Sequence, residues 1–170
     1  GPYSFAPFME CYHAIVSMDH EINGTLIINE KTADFTCGRG YIEKDWGHSF
    51  PSAYIWMQSN HFSTPGVSLF ASTAKIPWLR GAFTGYIAAL YLENKIIKFA
   101  TYNKTQLKRC RVNLKNVELI LEREDYLLEI KVKRDKATSL ASPMQGFMNG
   151  RIDESMTSEM TVKLTDKKSG

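Results

Sequence analysis

The chain has few cysteines and lacks a long apolar segment. It contains only three cysteines, none spaced as C-x-x-C, so we expect reduced, partly buried thiols rather than disulfides or a structural zinc site. It has no run of about 18 apolar residues and no secretory signal, which predicts no membrane-spanning helix. We therefore expect a cytoplasmic protein, with peripheral membrane association as an open alternative.

The composition is that of one globular domain without a strong charge of either sign. Hydrophobic residues make up 44% and charged residues 23% of 170 residues, and the net charge is +3. This length suits a single domain, which we place at 1–170. The chain begins Gly1-Pro2-Tyr3 and ends in a polar tail, so we expect it to be part of a longer protein.

The hydrophobic pattern alternates with a period of two along most of the chain. This pattern, with short turns and no convincing amphipathic helix, predicts an all-β antiparallel barrel or sandwich. Asn23-Gly24 predicts a tight hairpin, Glu93-Asn94-Lys95 predicts a short turn, Pro77 predicts a strand end, and 78–92 favours a strand over a helix. The predicted strands are 13–22, 25–29, 33–37, 54–62, 67–75, 83–92, 96–102, 107–114, 117–122, 126–133, 147–155 and 158–165.

The segment 38–62 concentrates the unusual side chains. Within it, Tyr41, Glu43 and Asp45 alternate, so an extended backbone would project all three from one face. Two carboxyls beside a phenol form an acid–base set, in which burial and a like charge would keep one carboxyl protonated. The alternative is a solvated strand edge with Lys44 and Arg39 as ion-pair partners, and spacing alone favours that alternative.

A second face in this segment combines flat aromatics with amides. Tyr54, Trp56, Gln58, Asn60 and Phe62 share one side of a strand, as expected of a ligand-binding wall. The alternative, nearly balanced with it, is that Trp56 fills a barrel core while the two amides satisfy backbone groups.

Two other patterns favour ordinary structural roles. The four histidines, His13, His20, His48 and His61, show no metal-ligand spacing, so we predict no metal site. The stretch 95–115 has seven basic residues and no acid, but the basic residues alternate with aliphatic ones, as on the solvent-exposed face of a strand. We therefore predict no nucleic-acid partner.

Several motifs spread over nearly the whole chain resemble the tocopherol cyclase family, and the 38–62 block is a specific match. The motifs are P-F-M-E-C-Y-H at 7–13, S-M-D-H at 17–20, G-R-G-Y-I-E-K-D-W-G-x-S-F-P at 38–51, W-x-Q-S-N-x-F at 56–62, A-K-I-P-W at 74–78 and F-A-T-Y at 99–102. The resemblance implies a lipocalin-like antiparallel β-barrel, preceded in a longer chain by a partner β-domain. The chain is also similar, more distantly, to the lipocalin-like carotenoid hydratases.

The resemblance further implies a lipophilic small molecule as ligand, a prenylquinol or another isoprenoid. Enzymes of this kind protonate a prenyl double bond, and a phenol oxygen or water then adds to the cation, with no redox cofactor. By resemblance Glu43 is the proton donor, tuned by His13 and Tyr41, while Trp46 and Trp56 face the cation. The alternative is a non-catalytic lipid-binding or structural module.

Glu43 rather than Asp45 is expected to be the functional acid. Glu43 lies nearer the middle of the hydrophobic segment, whereas Asp45 adjoins the Trp46-Gly47 bend, where water can reach it. Desolvation and the neighbouring charge of Asp45 are expected to raise the pKa of Glu43. The remaining predicted substrate-binding residues are Gln58 and Asn60.

Overall fold

The computed structural model describes residues 9–78 and 81–168, and within them every regular element is a strand. The all-β prediction is therefore confirmed, and 81–92 is a strand as expected. Pro7, Phe8 and residues 79–80 lie outside the described residues. The strands are β1 (Cys11–Ile22), β2 (Thr25–Ile28), β3 (Lys31–Asp34), β4 (Gly38–Gly47), β5 (Tyr54–Ser59), β6 (Ser68–Trp78), β7 (Gly81–Leu92), β8 (Lys95–Ala100), β9 (Gln106–Val112), β10 (Asn116–Glu122), β11 (Tyr126–Lys133), β12 (Thr138–Met144), β13 (Phe147–Glu154) and β14 (Glu159–Asp166).

The strands form separate antiparallel sheets. Two sheets have four strands each, in the orders β5-β6-β7-β8 and β14-β11-β10-β9. Three two-stranded ribbons, β1-β4, β2-β3 and β12-β13, complete the fold over the described residues. These sheets do not close into one barrel within 9–78 and 81–168, so the lipocalin-like barrel is not confirmed.

The predicted hairpin at Asn23-Gly24 is wrong. β1 pairs with β4 rather than with β2, and β2 pairs with β3. The two-residue turn lies instead at Asn29-Glu30, where both residues have positive φ, the backbone that a type I′ turn needs. The Oδ1 atom of Asn23 accepts a hydrogen bond from the backbone N–H of Cys37, which closes the base of this hairpin.

Two further turn predictions have different outcomes. Glu93-Asn94 joins β7 to β8 with positive φ at both residues, in agreement with the predicted turn. Pro77 does not end β6, which continues to Trp78. β6 pairs with β5 only as far as Ala74, so beyond that point Pro77 has a partner strand on one side and its missing N–H breaks no ladder there.

The main core lies between the two four-stranded sheets. Leu69 and Leu90 of one sheet pack in the same buried cluster as Leu119, Leu121 and Ile130 of the other. The five side chains are at most 2% exposed, as expected where alternate residues of two sheets interdigitate. This contact orients the β5–β8 sheet and leaves its second face free for the β1-β4 ribbon.

The β1-β4 ribbon covers that second face. Phe70 and Ala89 of the sheet pack with Met18 of β1, and Ile15 and Tyr41 border the same cluster. Because side chains alternate along a strand, Phe70 points to the ribbon while Leu69 points to the main core. The β5–β8 sheet is thus the middle of three layers.

The β12-β13 hairpin is attached to the loop that follows β4. The backbone N–H of Phe50 donates to the carbonyl of Pro143, and the N–H of Gly146 donates to the carbonyl of His48. The N–H of Gln145 donates to the Ser49 hydroxyl at 2.7 Å. β12 was not among the predicted strands, and these bonds place its hairpin beside the ribbon.

Two properties of the surface bear on the sequence analysis. None of the described segments is a helix that is long and apolar enough to cross a bilayer. The cysteines are free, as predicted, but Cys37 and Cys110 are exposed and only Cys11 is partly buried.

Candidate functional site

The register of β1 and β4 assembles the site. His13 lies directly opposite Asp45, and Ile15 lies opposite Glu43. His13 is therefore the diagonal neighbour of Glu43 on the same face of the ribbon, a separation that longer side chains bridge. One nitrogen or carboxylate oxygen from each of His13, Glu43 and Asp45 lies within 4.8 Å of the others.

Glu43 accepts hydrogen bonds from three different side chains. The hydroxyl of Tyr41 donates to Oε2 at 2.6 Å, and Nδ1 of His13 lies 2.9 Å from Oε1. Nε1 of Trp56, from the neighbouring sheet, donates to both carboxylate oxygens at 3.1 and 3.2 Å. The Glu43 side chain is only 8% exposed, so these donors replace water around it.

The electrostatics of Glu43 differ from the sequence-based expectation. Burial acts to raise its pKa, but the hydrogen bonds from His13, Tyr41 and Trp56 together outweigh burial and hold the pKa below its usual value. The prediction of a raised pKa is therefore wrong. Spacing placed Tyr41 beside Glu43 and the family resemblance named His13, but neither indicated the hydrogen bonds from Trp56.

Asp45 shows the opposite behaviour. Burial, and then the negative charge of Glu43, raise the pKa of Asp45 above its usual value, against a smaller opposing effect of His13. A carboxyl pair in which one member is stabilised as the anion leaves the proton with the other. The two acids therefore shift in opposite directions, the pKa of Asp45 upward and that of Glu43 downward.

The phenol and thiol beside this pair stay protonated. Burial and the hydrogen bond to Glu43 raise the pKa of Tyr41 far above its ordinary value, which fixes the hydroxyl as a donor. Burial, followed by the charges of Asp45 and Glu43, raises the pKa of Cys11 to about 11. Cys11 is therefore a neutral thiol rather than a nucleophilic thiolate.

A cavity of about 300 Å3 opens onto these groups. Its volume is at the small end of the range for ligand pockets. Its walls come from the ribbon, from β5, β6 and β7, from the loop after β4 and from the end of β13. The polar lining includes His13, Glu43, Asp45 and Glu154, and the aromatic lining is Tyr12, Trp46, Phe50, Tyr54, Trp56, Tyr86 and Tyr102.

The predicted substrate-binding residues divide into two pairs. Trp46 and Trp56 both line the cavity, and Trp46 stacks on Tyr12 with ring centroids 5.6 Å apart. Gln58 and Asn60 are not among the lining residues. Asn60 donates to the backbone carbonyl of Arg39, while Nε2 of Gln58 is buried with no hydrogen-bond partner among the described residues.

The solvated-edge alternative does not hold for Glu43, whose side chain is nearly buried, whereas Asp45 is exposed, as expected of a residue beside the Trp46-Gly47 bend. Arg39 pairs with Asp19 instead, with its Nε donating to Oδ1 at 2.8 Å. The ammonium of Lys44 lies 5.6 Å from the centroid of the Trp46 ring. Within the described residues neither cation forms an ion pair with Glu43, whose close partner is the imidazole of His13.

Several lining residues were not predicted to belong to the site. Cys11, Phe50 and Tyr102 come from three separate parts of the chain, and Glu154 comes from the end of β13. Tyr54 was expected on the Trp56 face, and its position confirms only that local alternation. Glu154 reaches the cavity through the pairing of the β12-β13 hairpin with the loop after β4, which no local pattern reveals.

His13, Glu43 and Asp45 are also the one set of potential metal ligands that the described residues bring together. Both oxygens of Glu43 already accept hydrogen bonds from neutral donors. A metal ion bound there would displace at least one of these donors, because Tyr41 and Trp56 present hydrogen atoms to the carboxylate. The arrangement fits a hydrogen-bonded acid–base cluster better than a metal centre.

Comparison with known proteins identifies one family. The family model described as tocopherol cyclase-like matches residues 1–170. No curated protein and no solved structure shows a significant match to the chain.

Proposed function

Because the chain belongs to the tocopherol cyclase-like family, we propose that its cavity binds a prenylated, lipophilic ligand and promotes acid-catalysed cyclisation or hydration of an isoprenoid double bond. One observation carries the proposal: two neighbouring carboxyls, the nearly buried Glu43 and the exposed Asp45, line an aromatic cavity. Such a pair separates an anion from a proton donor at the cavity wall.

Asp45 is the proton donor in this proposal, in place of Glu43. The Asp45 O–H bond breaks as a new C–H bond forms at the less substituted alkene carbon, leaving a tertiary carbocation. A phenol oxygen of the same ligand, or a water molecule, then forms a C–O bond to the cation. The proton released from that oxygen returns to the carboxyl pair, so the site is restored and no redox cofactor is consumed.

Glu43 acts as the fixed anion. Held by His13, Tyr41 and Trp56, it stays ionised next to Asp45 and stabilises positive charge that develops in the cavity. Trp46 and Trp56 contribute aromatic faces to the same end. His13 positions Glu43. The imidazole is itself held by packing against the buried Phe70, with the ring centroids 4.8 Å apart.

The test is turnover of a prenylated hydroquinone by the full-length protein in deuterated water. Cyclisation through this route places one deuterium on the carbon that was protonated, and mass spectrometry detects it. Asp45→Asn should lower turnover at least about 100-fold, the usual contribution of a general acid. Asp153→Asn, an exposed carboxyl outside the cavity lining, is the matched control and should leave turnover unchanged.

The Asp45→Asn variant and the wild-type protein together separate the candidate functions. Wild-type turnover by Asp45→Asn would show that Asp45 is not the donor. If the wild-type protein binds the hydroquinone but converts none of it, the chain is a lipid-binding module and the catalytic proposal fails.

A further inference from the structure

The cavity has a charge composition unlike that of the whole chain. The sequence contains 21 Lys and Arg against 18 Asp and Glu. Among the described residues, however, Glu43, Asp45 and Glu154 line the cavity and no Lys or Arg does. An anionic ligand would therefore meet three carboxyl groups and no Lys or Arg in that lining.

The walls are also suited to positive charge. Seven Phe, Tyr and Trp residues line the cavity, and the negative faces of such rings attract organic cations. The Lys44 ammonium over Trp46 is an instance within the chain itself. Trp56 is oriented by its N–H bonds to Glu43, which holds its ring next to the carboxylate.

We propose that the cavity is a binding site for lipophilic ammonium ions, which it prefers to neutral alcohols, and that it rejects carboxylate lipids such as fatty acids. The alkyl part would lie against the aromatic wall, and the cationic head would lie between Glu43 and Glu154. The inference concerns binding alone and holds whether or not the site catalyses a reaction.

Glu154 is the residue through which this selectivity can be changed without disturbing the buried cluster. Within the described residues it forms no salt bridge with Lys or Arg, and its charge acts across the cavity on Tyr54, helping to raise the pKa of that phenol after burial. It takes no part in the hydrogen bonds that hold Glu43. It is also exposed, so its replacement leaves no buried gap.

The experiment compares three ligands with the same chain length: N,N-dimethyloctylammonium, 1-octanol and octanoate. Binding to the full-length protein is followed by tryptophan fluorescence, since Trp46 and Trp56 line the cavity. The ammonium ion should bind about ten-fold more tightly than octanoate, with octanol between them. Glu154→Gln should weaken ammonium binding by about three-fold, the effect of one exposed charge pair.

Glu159→Gln is the matched control, because it removes the same charge at an exposed position outside the cavity lining. It should leave all three affinities unchanged. Equal affinity for the three ligands, tightest binding of octanoate, or no binding of any of them would overturn the proposal. Equal effects of Glu154→Gln and Glu159→Gln would also overturn it, because the selectivity would then come from net charge rather than from the cavity.

Ammonium selectivity without turnover of the prenylated hydroquinone would leave this proposal standing while the catalytic one fails.

Discussion

His13 lies opposite Asp45 across β1 and β4, yet its ring nitrogen bonds to Glu43 rather than to Asp45. The diagonal contact gives Glu43 a donor and leaves Asp45 with burial and a neighbouring negative charge. One cross-strand register thus gives two chemically similar acids opposite pKa shifts.

The first prediction concerns the opposite effects of these acids on stability. Glu43→Gln should lower the melting temperature at pH 7, because the folded protein stabilises the Glu43 anion and depresses its pKa. This stabilisation is present above the unfolded pKa of about 4.3 and is lost as the pH falls through the lower folded value. The difference from wild type should therefore vanish in strong acid.

Asp45→Asn should instead raise the melting temperature at pH 7. The pKa of Asp45 is raised, so its ionised form destabilises the fold above that pKa, and the cost disappears below the unfolded value of about 3.9. Thermal unfolding of both variants between pH 3 and 7 measures these effects. A stability loss in Asp45→Asn equal to that in Glu43→Gln would contradict the division of roles.

The second prediction separates two contributions of Trp56. Trp56→Phe keeps an aromatic wall but removes the N–H that bonds to Glu43 at 3.1 and 3.2 Å. Loss of a hydrogen bond to a charged group should cost about 1.5–3 kcal/mol at most and raise the pKa of Glu43. Carbon-detected NMR titration of the Glu43 carboxyl measures the pKa directly.

Trp56→Ala removes the wall as well, and should weaken ligand binding far more than it lowers the melting temperature. The indole is 43% exposed, so little core packing is lost. Parallel losses of binding and stability would make Trp56 a core residue rather than a ligand wall.

The third prediction uses the unequal exposure of the Arg39–Asp19 pair. The Asp19 side chain is 7% exposed, whereas the Arg39 side chain is 48% exposed. Arg39→Ala should be the more destabilising change, by about 1–3 kcal/mol, because it leaves a buried carboxylate without its donor. Asp19→Asn should cost less, because water can hydrate the exposed arginine that loses its partner. Urea unfolding measures both losses, and the reverse order would mean that the pair is effectively solvated.

The fourth prediction tests the core between the two four-stranded sheets. Leu121 is fully buried there, and Leu121→Ala should reduce the free energy of unfolding by about 2–5 kcal/mol. Leu114 is 93% exposed, so the same change at Leu114 should have almost no effect. Comparable losses in both variants would show that the described packing is not that of the protein in solution.

Local alternation predicted part of the candidate site. Tyr41, Glu43 and Asp45 were expected on one face of an extended segment, and the structure brings them together because β4 has that period. Gly38 and Gly40 both lie within β4, where Gly40 is packed against the His20 ring. The sequence alone does not distinguish a glycine required for close packing from one required for a turn.

Long-range pairing accounts for what the sequence could not predict. Asn23-Gly24 has the composition of a hairpin, but β1 finds its partner in β4, after the β2-β3 hairpin has intervened. The pKa of Glu43 depends on Trp56, which lies on a strand of another sheet. Local spacing contains no information about either contact.

The central position of the β5–β8 sheet separates two kinds of sequence change within a single strand. Along β6, Leu69 and Ala71 belong to the main core, whereas Ser72, Ala74 and Ile76 line the cavity. Enlarging or shrinking the cavity-lining side chains would resize the ligand space while the sheet keeps its packing on the other side. Substitutions at these three positions can therefore change the shape of the cavity without altering the core on which the layer carrying Glu43 and Asp45 rests.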